Sequence, residues 1–317
     1  MTRVLVVGAS GFLGRHLCAL LAGKGIDVLA LSRSQPPDSS RKWLQADIQD
    51  AAAIGEILAE TRPDVVVHLA TPPRHAELAE LIAVHVHGTD TLLGMVAANV
   101  PRARVLVVGS SAEYGQVGED ELPISEAVRP RPVSNYGLGK LMQAELVQVR
   151  ARQWGLALCH ARVFNVTGPG ESADQVVGAI VKQLVQAEVG VGDGTIRVRR
   201  LDTIRDFLDV RDVASALWAL AANPDATGII NVCSGTGVTI QAVLENLLQA
   251  STAQPEVVVL EDRPSPTDVP VQVGDPGRLA ALTGFKPLIG LATSLQDTLE
   301  ASRAAMPASV VQVAAGR

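Results

Sequence analysis

The chain has 317 residues, 47% of them hydrophobic and only 3% aromatic, and its formal net charge is −6. That length is enough for one large domain and a smaller second lobe. Few aromatic rings to stack on bases and an acidic balance argue against a nucleic-acid partner, although they leave room for a local basic pocket. Cys18, Cys159 and Cys233 have neither metal-ligand spacing nor a disulfide pattern, so no metal is expected. The first seven residues lack the charged start and long apolar stretch of a signal peptide, and no apolar run reaches membrane-spanning length. A cytoplasmic protein with no membrane partner fits these features best.

Arg3-Val4-Leu5-Val6-Val7 is a continuous apolar run that ends at Gly8. Phe12, Leu13, Leu17, Leu20 and Leu21 follow with a helical period, stopped by Gly23 and Gly25. Further buried-strand runs fall at residues 27–31, 43–46, 64–69, 103–108 and 156–159, separated by helical stretches at 51–60, 77–99 and 136–154. Strands alternating with helices predict right-handed βαβ units and a parallel sheet covered on both faces. From about Gly168 the alternation loosens and Gly and Pro punctuate the chain. The expected fold is therefore α/β: a doubly wound, Rossmann-type parallel sheet over residues 1–167. Residues 168–317 form mainly a smaller, interleaved α/β substrate-binding lobe at the carboxyl ends of the strands.

Gly8-Ala9-Ser10-Gly11-Phe12-Leu13-Gly14 joins the first strand to the first helix. Gly8 permits the tight turn, Gly11 lets backbone approach a pyrophosphate, and Gly14 allows close helix–strand packing. The helix start, with Ser10, Phe12 and Leu13, offers N–H groups and a partial positive charge to the anion. An NAD site usually presents an acid to the adenine ribose after the second strand, but this chain has Ser32-Arg33-Ser34 there. A cation with hydroxyls suits a 2′-phosphate, so NADP(H) is the expected cofactor, with NAD(H) the alternative. Asp47 either accepts from the adenine amino group or caps the helix that begins near Asp50.

Tyr136-Gly137-Leu138-Gly139-Lys140 sets a phenol and an ammonium four residues apart on one helix face. A cation beside a phenol favours the phenolate and suits it to proton exchange with a carbonyl or alcohol. Ser110 follows the strand at 103–108, so its hydroxyl should emerge at the same sheet edge.

With these pieces the chain resembles the extended short-chain dehydrogenase/reductase family, also described as the NAD-dependent epimerase/dehydratase family. Besides the glycine turn, the resemblance rests on Asp47-Ile48, His68-Leu69-Ala70, Ser110-Ser111-Ala112-Glu113-Tyr114-Gly115, Arg162-Val163-Phe164-Asn165 and Arg205-Asp206-Phe207-Leu208-Asp209. It implies Ser110, Tyr136 and Lys140 as catalytic residues, with Tyr136 and Lys140 also contacting the cofactor and Lys140 holding its nicotinamide ribose. Ile48, Leu69 and Ala70 would line the cofactor. His85, in His85-Val86-His87-Gly88-Thr89, departs from the asparagine usual in the family. The resemblance also implies a nucleotide-diphosphate sugar as substrate, with Arg205 and Arg263 on its diphosphate and Ser110, Ser111 and Asn165 among its contacts. Arginine suits that task because its planar fork binds phosphate oxygens in pairs.

Dehydratases of the family carry an acid where this chain has Ala112. The neighbouring Glu113 is expected to point away, as neighbours in an extended segment do. The second half is most similar to the family's GDP-4-keto-6-deoxy-D-mannose reductase group, which implies NADPH-dependent reduction of a 4-keto sugar. The alternatives are a nucleotide-sugar 4-epimerase with tightly held NAD, and a catalytically idle NADP-sensing scaffold. A homodimer is expected too, with Leu92, Val96, Leu141 and Ala144 on its seam.

Overall fold

In the computed structural model, residues 2–34, 43–260 and 268–306 are described. The apolar runs become strands β1 (Arg3–Val7), β2 (Asp27–Ser32), β3 (Trp43–Gln45), β4 (Val65–His68), β5 (Arg104–Ser110) and β6 (Leu158–Val163). They form a sheet in the order β3-β2-β1-β4-β5-β6 with every pair parallel, and the strand order reverses between β1 and β4. Side chains alternate across it: Val4, Val6, Val65 and Val67 enter one core, and Leu5, Val7 and Val66 the other. Both faces are therefore apolar and both must be covered.

Helix α1 (Phe12–Gly23) lies on one face, and α2 (Ala51–Thr61) and α5 (Asn135–Trp154) on the other. The stretch expected as one helix at 77–99 contains α3 (Leu78–Ile82), a π-helical turn (Ala83–Gly88) and α4 (Thr89–Asn99) in direct succession. Contrary to the sequence reading, this 22-residue helix is long and apolar enough to span a membrane by length and composition. Here Leu81, Leu92, Leu93 and Val96 are fully buried, so its apolarity serves the core. The expected subunit seam needs the same correction. Leu92, Val96 and Ala144 have no exposed surface, because these faces of α4 and α5 are committed within the chain.

The second half does not stay apart from the sheet. After β7 (Asn165–Thr167), α6 (Val176–Glu188), β8 (Thr195–Val198) and β9 (Ile204–Asp209), the chain returns as α7 (Val210–Ala222), which packs on α1. Strand β10 (Gly228–Val232) then pairs in parallel with β6 as the seventh strand. The predicted strand at 156–159 accordingly begins later and runs on through Val163, because β5 on one side and β10 on the other both pair with it that far. The remaining elements are β11 (Gly237–Thr239), α8 (Ile240–Ala250), β12 (Glu256–Val259), β13 (Val271–Gln272), α9 (Gly277–Thr283) and α10 (Leu291–Ala304). Helices α6, α8 and α10 enclose a separate apolar core with β8 and β9. The carboxyl ends of the parallel strands thus open beneath this second lobe, where ligands of open α/β sheets bind.

Candidate active site

Gly8 leaves β1 with φ +85°, a conformation that suits glycine, and its N–H donates to the Leu31 carbonyl at 2.9 Å. A Cβ at Gly14 would stand 2.4 Å from the Gly8 carbonyl oxygen, so α1 lies directly on the turn. Gly11 precedes α1 and no side chain caps the helix, which leaves its first N–H groups for an anion. This cradle of close-packed backbone fits a dinucleotide pyrophosphate.

Two clefts meet at the turn. The first, about 770 Å³, is lined by Gly8, Ser10, Gly11, Ser32, Arg33, Ser34, Asp47, Ile48, Leu69 and Ala70. Ten of the positions read from the sequence as cofactor contacts or their neighbours thus share one wall. Within it, Ser32 Oγ donates to the Ser34 carbonyl at 2.7 Å, so that hydroxyl proton is committed to the loop. The Arg33 side chain stays exposed on the cleft. Asp47 lines the cleft and accepts from Gln49 N at 2.9 Å, whereas Asp50 caps α2 through Ala53 N.

The second cleft, about 1290 Å³, shares Gly8, Gly11 and Leu69 with the first and extends past Phe12, Leu13 and Gly14 to Ser110, Tyr136 and Lys140. Its far wall includes Val163, Phe164, Ser172, Asp174 and Gln175. Ser110 ends β5 and caps a 3₁₀ turn (Ser111–Glu113), its Oγ accepting from Ala112 N at 3.2 Å. Ser134 caps α5 by accepting from Gly137 N, which sets Tyr136 in the first turn. A Cβ at Gly137 would lie 2.4 Å from the Ala112 carbonyl oxygen, so glycine there lets α5 press its first turn against the Ser110 loop. Two side chains bear on the Tyr136 ring: His85 edge-on at 5.7 Å and the Arg74 guanidinium at 5.2 Å from its centroid.

Lys140 is buried and donates to the Val108 carbonyl at 2.9 Å and to Gln143 Oε1 at 3.0 Å. Burial pulls its ammonium down to about 8; the Glu113 carboxylate opposes that fall and Arg74 adds to it. Gln143 in turn donates to Thr89 Oγ1 at 2.8 Å. His68 accepts from Ala70 N on Nδ1, which assigns the ring proton to Nε2, 3.0 Å from Thr89 Oγ1. Burial, with Lys140 nearby, lowers His68 to about 3, so it is neutral. His85 lies in the π-helical turn with Nε2 2.8 Å from Thr71 Oγ1, while its buried Nδ1 has no partner. Burial and Lys140 lower it to about 2, so His85 too is neutral.

Three expected substrate contacts line neither cleft. Ser111 donates its hydroxyl to Gln272 Oε1 at 3.1 Å because the 3₁₀ turn directs it toward β13. Asn165 donates to the Asp206 carbonyl. Arg205 donates to the Ile204 and Pro270 carbonyls, and burial lowers its ordinarily very high pKa. Arg263 lies outside the described residues. Conversely, Thr71, Pro72, Arg74, Ser172, Asp174 and Gln175 line the second cleft without having been singled out. The first three lie within four residues after His68-Leu69-Ala70, the one local signal that pointed toward them.

A glycine cradle at the strand-order reversal, with serine, tyrosine and lysine on the adjoining cleft, defines an NAD(P)-dependent oxidoreductase of the short-chain dehydrogenase/reductase type. The family model described as NAD dependent epimerase/dehydratase family matches residues 4–233, and the chain belongs to that family. It is 33% identical to GDP-6-deoxy-D-mannose reductase of Pseudomonas aeruginosa, over 94% of this chain and 96% of that protein. It is 29% identical to GDP-6-deoxy-D-talose 4-dehydrogenase of Aggregatibacter actinomycetemcomitans, over 89% of this chain and 91% of the relative. Among solved structures, RMD from Pseudomonas aeruginosa complexed with NADPH superimposes with a TM-score of 0.84 at 29% identity, covering 96% of this chain and all of that one.

Proposed function

We propose that this protein is an NADPH-dependent 4-ketoreductase acting on a nucleotide-diphospho-4-keto-6-deoxyhexose, with GDP as the carrier, in the cytoplasm. The observation that carries the reading is that Ser110, Tyr136 and Lys140 share one cleft with the glycine turn while Ala112 offers no carboxylate there. Glu113, the nearest acid in sequence, is held in buried bonds to Ser110 N, His160 and Arg162. A dehydratase's base is therefore missing at this turn. The similarity to a GDP-sugar reductase over almost the whole chain supports the substrate class.

The cofactor, when bound, supplies the hydride to the sugar carbonyl carbon. Tyr136 is the acid that protonates the carbonyl oxygen. Ser110 Oγ already accepts from Ala112 N, so its O–H is left to donate to that same oxygen. Two of the three Lys140 N–H groups are engaged by Val108 and Gln143, and the third serves a ribose hydroxyl. Arg33 holds the 2′-phosphate. Arg205, with Arg263 beyond the described residues, holds the substrate diphosphate, its guanidinium leaving the Ile204 and Pro270 carbonyls to do so. The enzyme works as a homodimer that pairs through the outward face of α5, where Met142 and Val149 are exposed.

The test is a panel of nucleotide 4-keto-6-deoxy sugars offered with NADPH to the unmodified protein and to Arg205→Ala. GDP-linked substrate should react fastest, and Arg205→Ala should raise KM with little change in kcat, since a diphosphate contact acts in ground and transition states alike. If none of these sugars reacts, the reading fails.

A further inference from the structure

The steps above leave one buried charge beside the site without a task. Glu113 is fully buried, and its carboxylate accepts from Ser110 N at 2.8 Å and Arg162 Nε at 2.6 Å, with His160 Nε2 at 3.0 Å. It is pressed against the end of β5: a Cβ at Gly109 would meet Glu113 Oε1 at 2.3 Å. The arrangement is anchored from behind. Arg162 stacks on the Tyr114 ring at 4.5 Å, and Tyr114 donates to Asn231 of β10 at 2.7 Å. Strands β5 and β6 thus meet at this one carboxylate, which β10 backs through Tyr114, and Ser110 N, which donates to it, lies two residues beyond the carbonyl that receives Lys140. The hydrogen-bond acceptors of Lys140 are a carbonyl and an amide, both neutral.

We infer that Glu113 is a positioning residue of the active site: it fixes the Ser110 backbone and supplies the buried negative charge that the Lys140 ammonium lacks among its own partners. The surroundings of Lys140 agree. Arg74 reaches it from the loop after β4 and works against the ammonium, as burial does. His68 from β4 and His85 from the π-helical turn are both neutral. Tyr136 lies one turn away on its own helix. Among these groups Glu113 is the one whose negative charge favours the ammonium. Removing that field lowers the pH at which Lys140 loses its proton, and a neutral Lys140 no longer organises Tyr136 and the ribose.

The kinetic part of this inference rests on the ketoreductase reading; the ionisation part does not. The chain has five lysines, so lysine-labelled protein gives few side-chain NMR signals, and Lys140→Arg assigns the relevant one. In Glu113→Gln the Lys140 signal should titrate about one pH unit lower than in the unmodified protein. The alkaline limb of NADPH-dependent turnover should move with it. Glu113→Asp keeps the charge and should restore the Lys140 titration. A Lys140 midpoint that stays put in Glu113→Gln, with only the melting temperature reduced, overturns the inference and leaves Glu113 as a counter-ion for Arg162. Because an uncompensated buried guanidinium is strongly destabilising, Glu113→Gln paired with Arg162→Gln is the fallback if the single variant does not fold. That variant removes both charges of the pair, so its Lys140 midpoint should fall by less than the loss of Glu113 alone would give, and a midpoint that rises or stays put also overturns the inference. A protein that reduces no nucleotide sugar but shows the Lys140 shift refutes the ketoreductase reading alone.

Discussion

Replacing Gly14 with alanine should weaken cofactor binding without abolishing the fold. The new methyl would stand 2.4 Å from the Gly8 carbonyl oxygen and 2.8 Å from Ala9 Cα, against the 3.4 Å where ordinary contact begins. All these neighbours are backbone, so no side-chain rotation relieves the overlap and α1 must withdraw from the turn by about 1 Å. Overpacking of this kind costs about 1–3 kcal/mol, and the intrinsic helix preference of alanine over glycine returns roughly 0.5–1 kcal/mol of it. The segment that moves carries the N–H groups meant for the pyrophosphate. A misplacement of about 1 Å can cost on the order of 100-fold, so NADPH affinity should fall roughly 10- to 100-fold. Fluorescence titration with NADPH measures this, with a thermal melt to confirm folding. Gly23→Ala is the control on the same helix, because a Cβ there meets nothing within 4 Å. If Gly14→Ala binds NADPH as tightly as Gly23→Ala, the argument that the turn is a close-packed anion cradle is wrong.

Arg33→Ala should erase most of the preference for NADPH over NADH, since one charged hydrogen bond contributes about 1.5–3 kcal/mol, roughly tenfold or more in affinity; equal affinities in the unmodified protein would refute the 2′-phosphate role. Tyr136→Phe retains the ring and deletes the proton donor, so steady-state kinetics should show kcat down by about 10²–10⁴-fold with NADPH affinity little changed. Burial raises Glu171 from the usual 4.5 to about 7, and one of its carboxylate oxygens has no partner. The folded state then holds this proton more tightly than the unfolded chain, so stability declines as pH rises between about 4.5 and 7. Melting curves of Glu171→Gln should lack that part of the decline, and identical pH dependence in both proteins counts against it.

The parts of this molecule that could be read from its sequence are those in which local chemistry decides. The Gly8 to Gly14 turn lies between an apolar run and a helical period, and its glycines are needed within seven residues of one another. The strands that feed the clefts read as apolar because both faces of the sheet are covered. What escaped depends on distant partners. Strand β10 joins the sheet only because α7 carries the chain back over α1, and no residue near Gly228 announces it. The π-helical turn at Ala83–Gly88 keeps the same apolar faces as a regular helix, so periodicity alone does not find it. Leu92, Val96 and Ala144 are small or apolar residues on long helices, a pattern equally suited to a seam and a core, and here the core has them. The Glu113 carboxylate does turn away from the cleft, but not through strand alternation. A 3₁₀ turn and the buried Arg162 and His160 draw it inward.

The central claim is net reduction of a 4-keto nucleotide sugar at the expense of NADPH. It is tested most directly by incubating the purified protein with GDP-4-keto-6-deoxymannose and NADPH, following absorbance at the reduced cofactor's band while quantifying the sugar product by NMR. The account predicts one NADPH oxidised for each 6-deoxyhexose nucleotide formed, with Tyr136→Phe losing both signals together. Interconversion of nucleotide sugars with no net loss of NADPH would contradict it and identify a 4-epimerase instead.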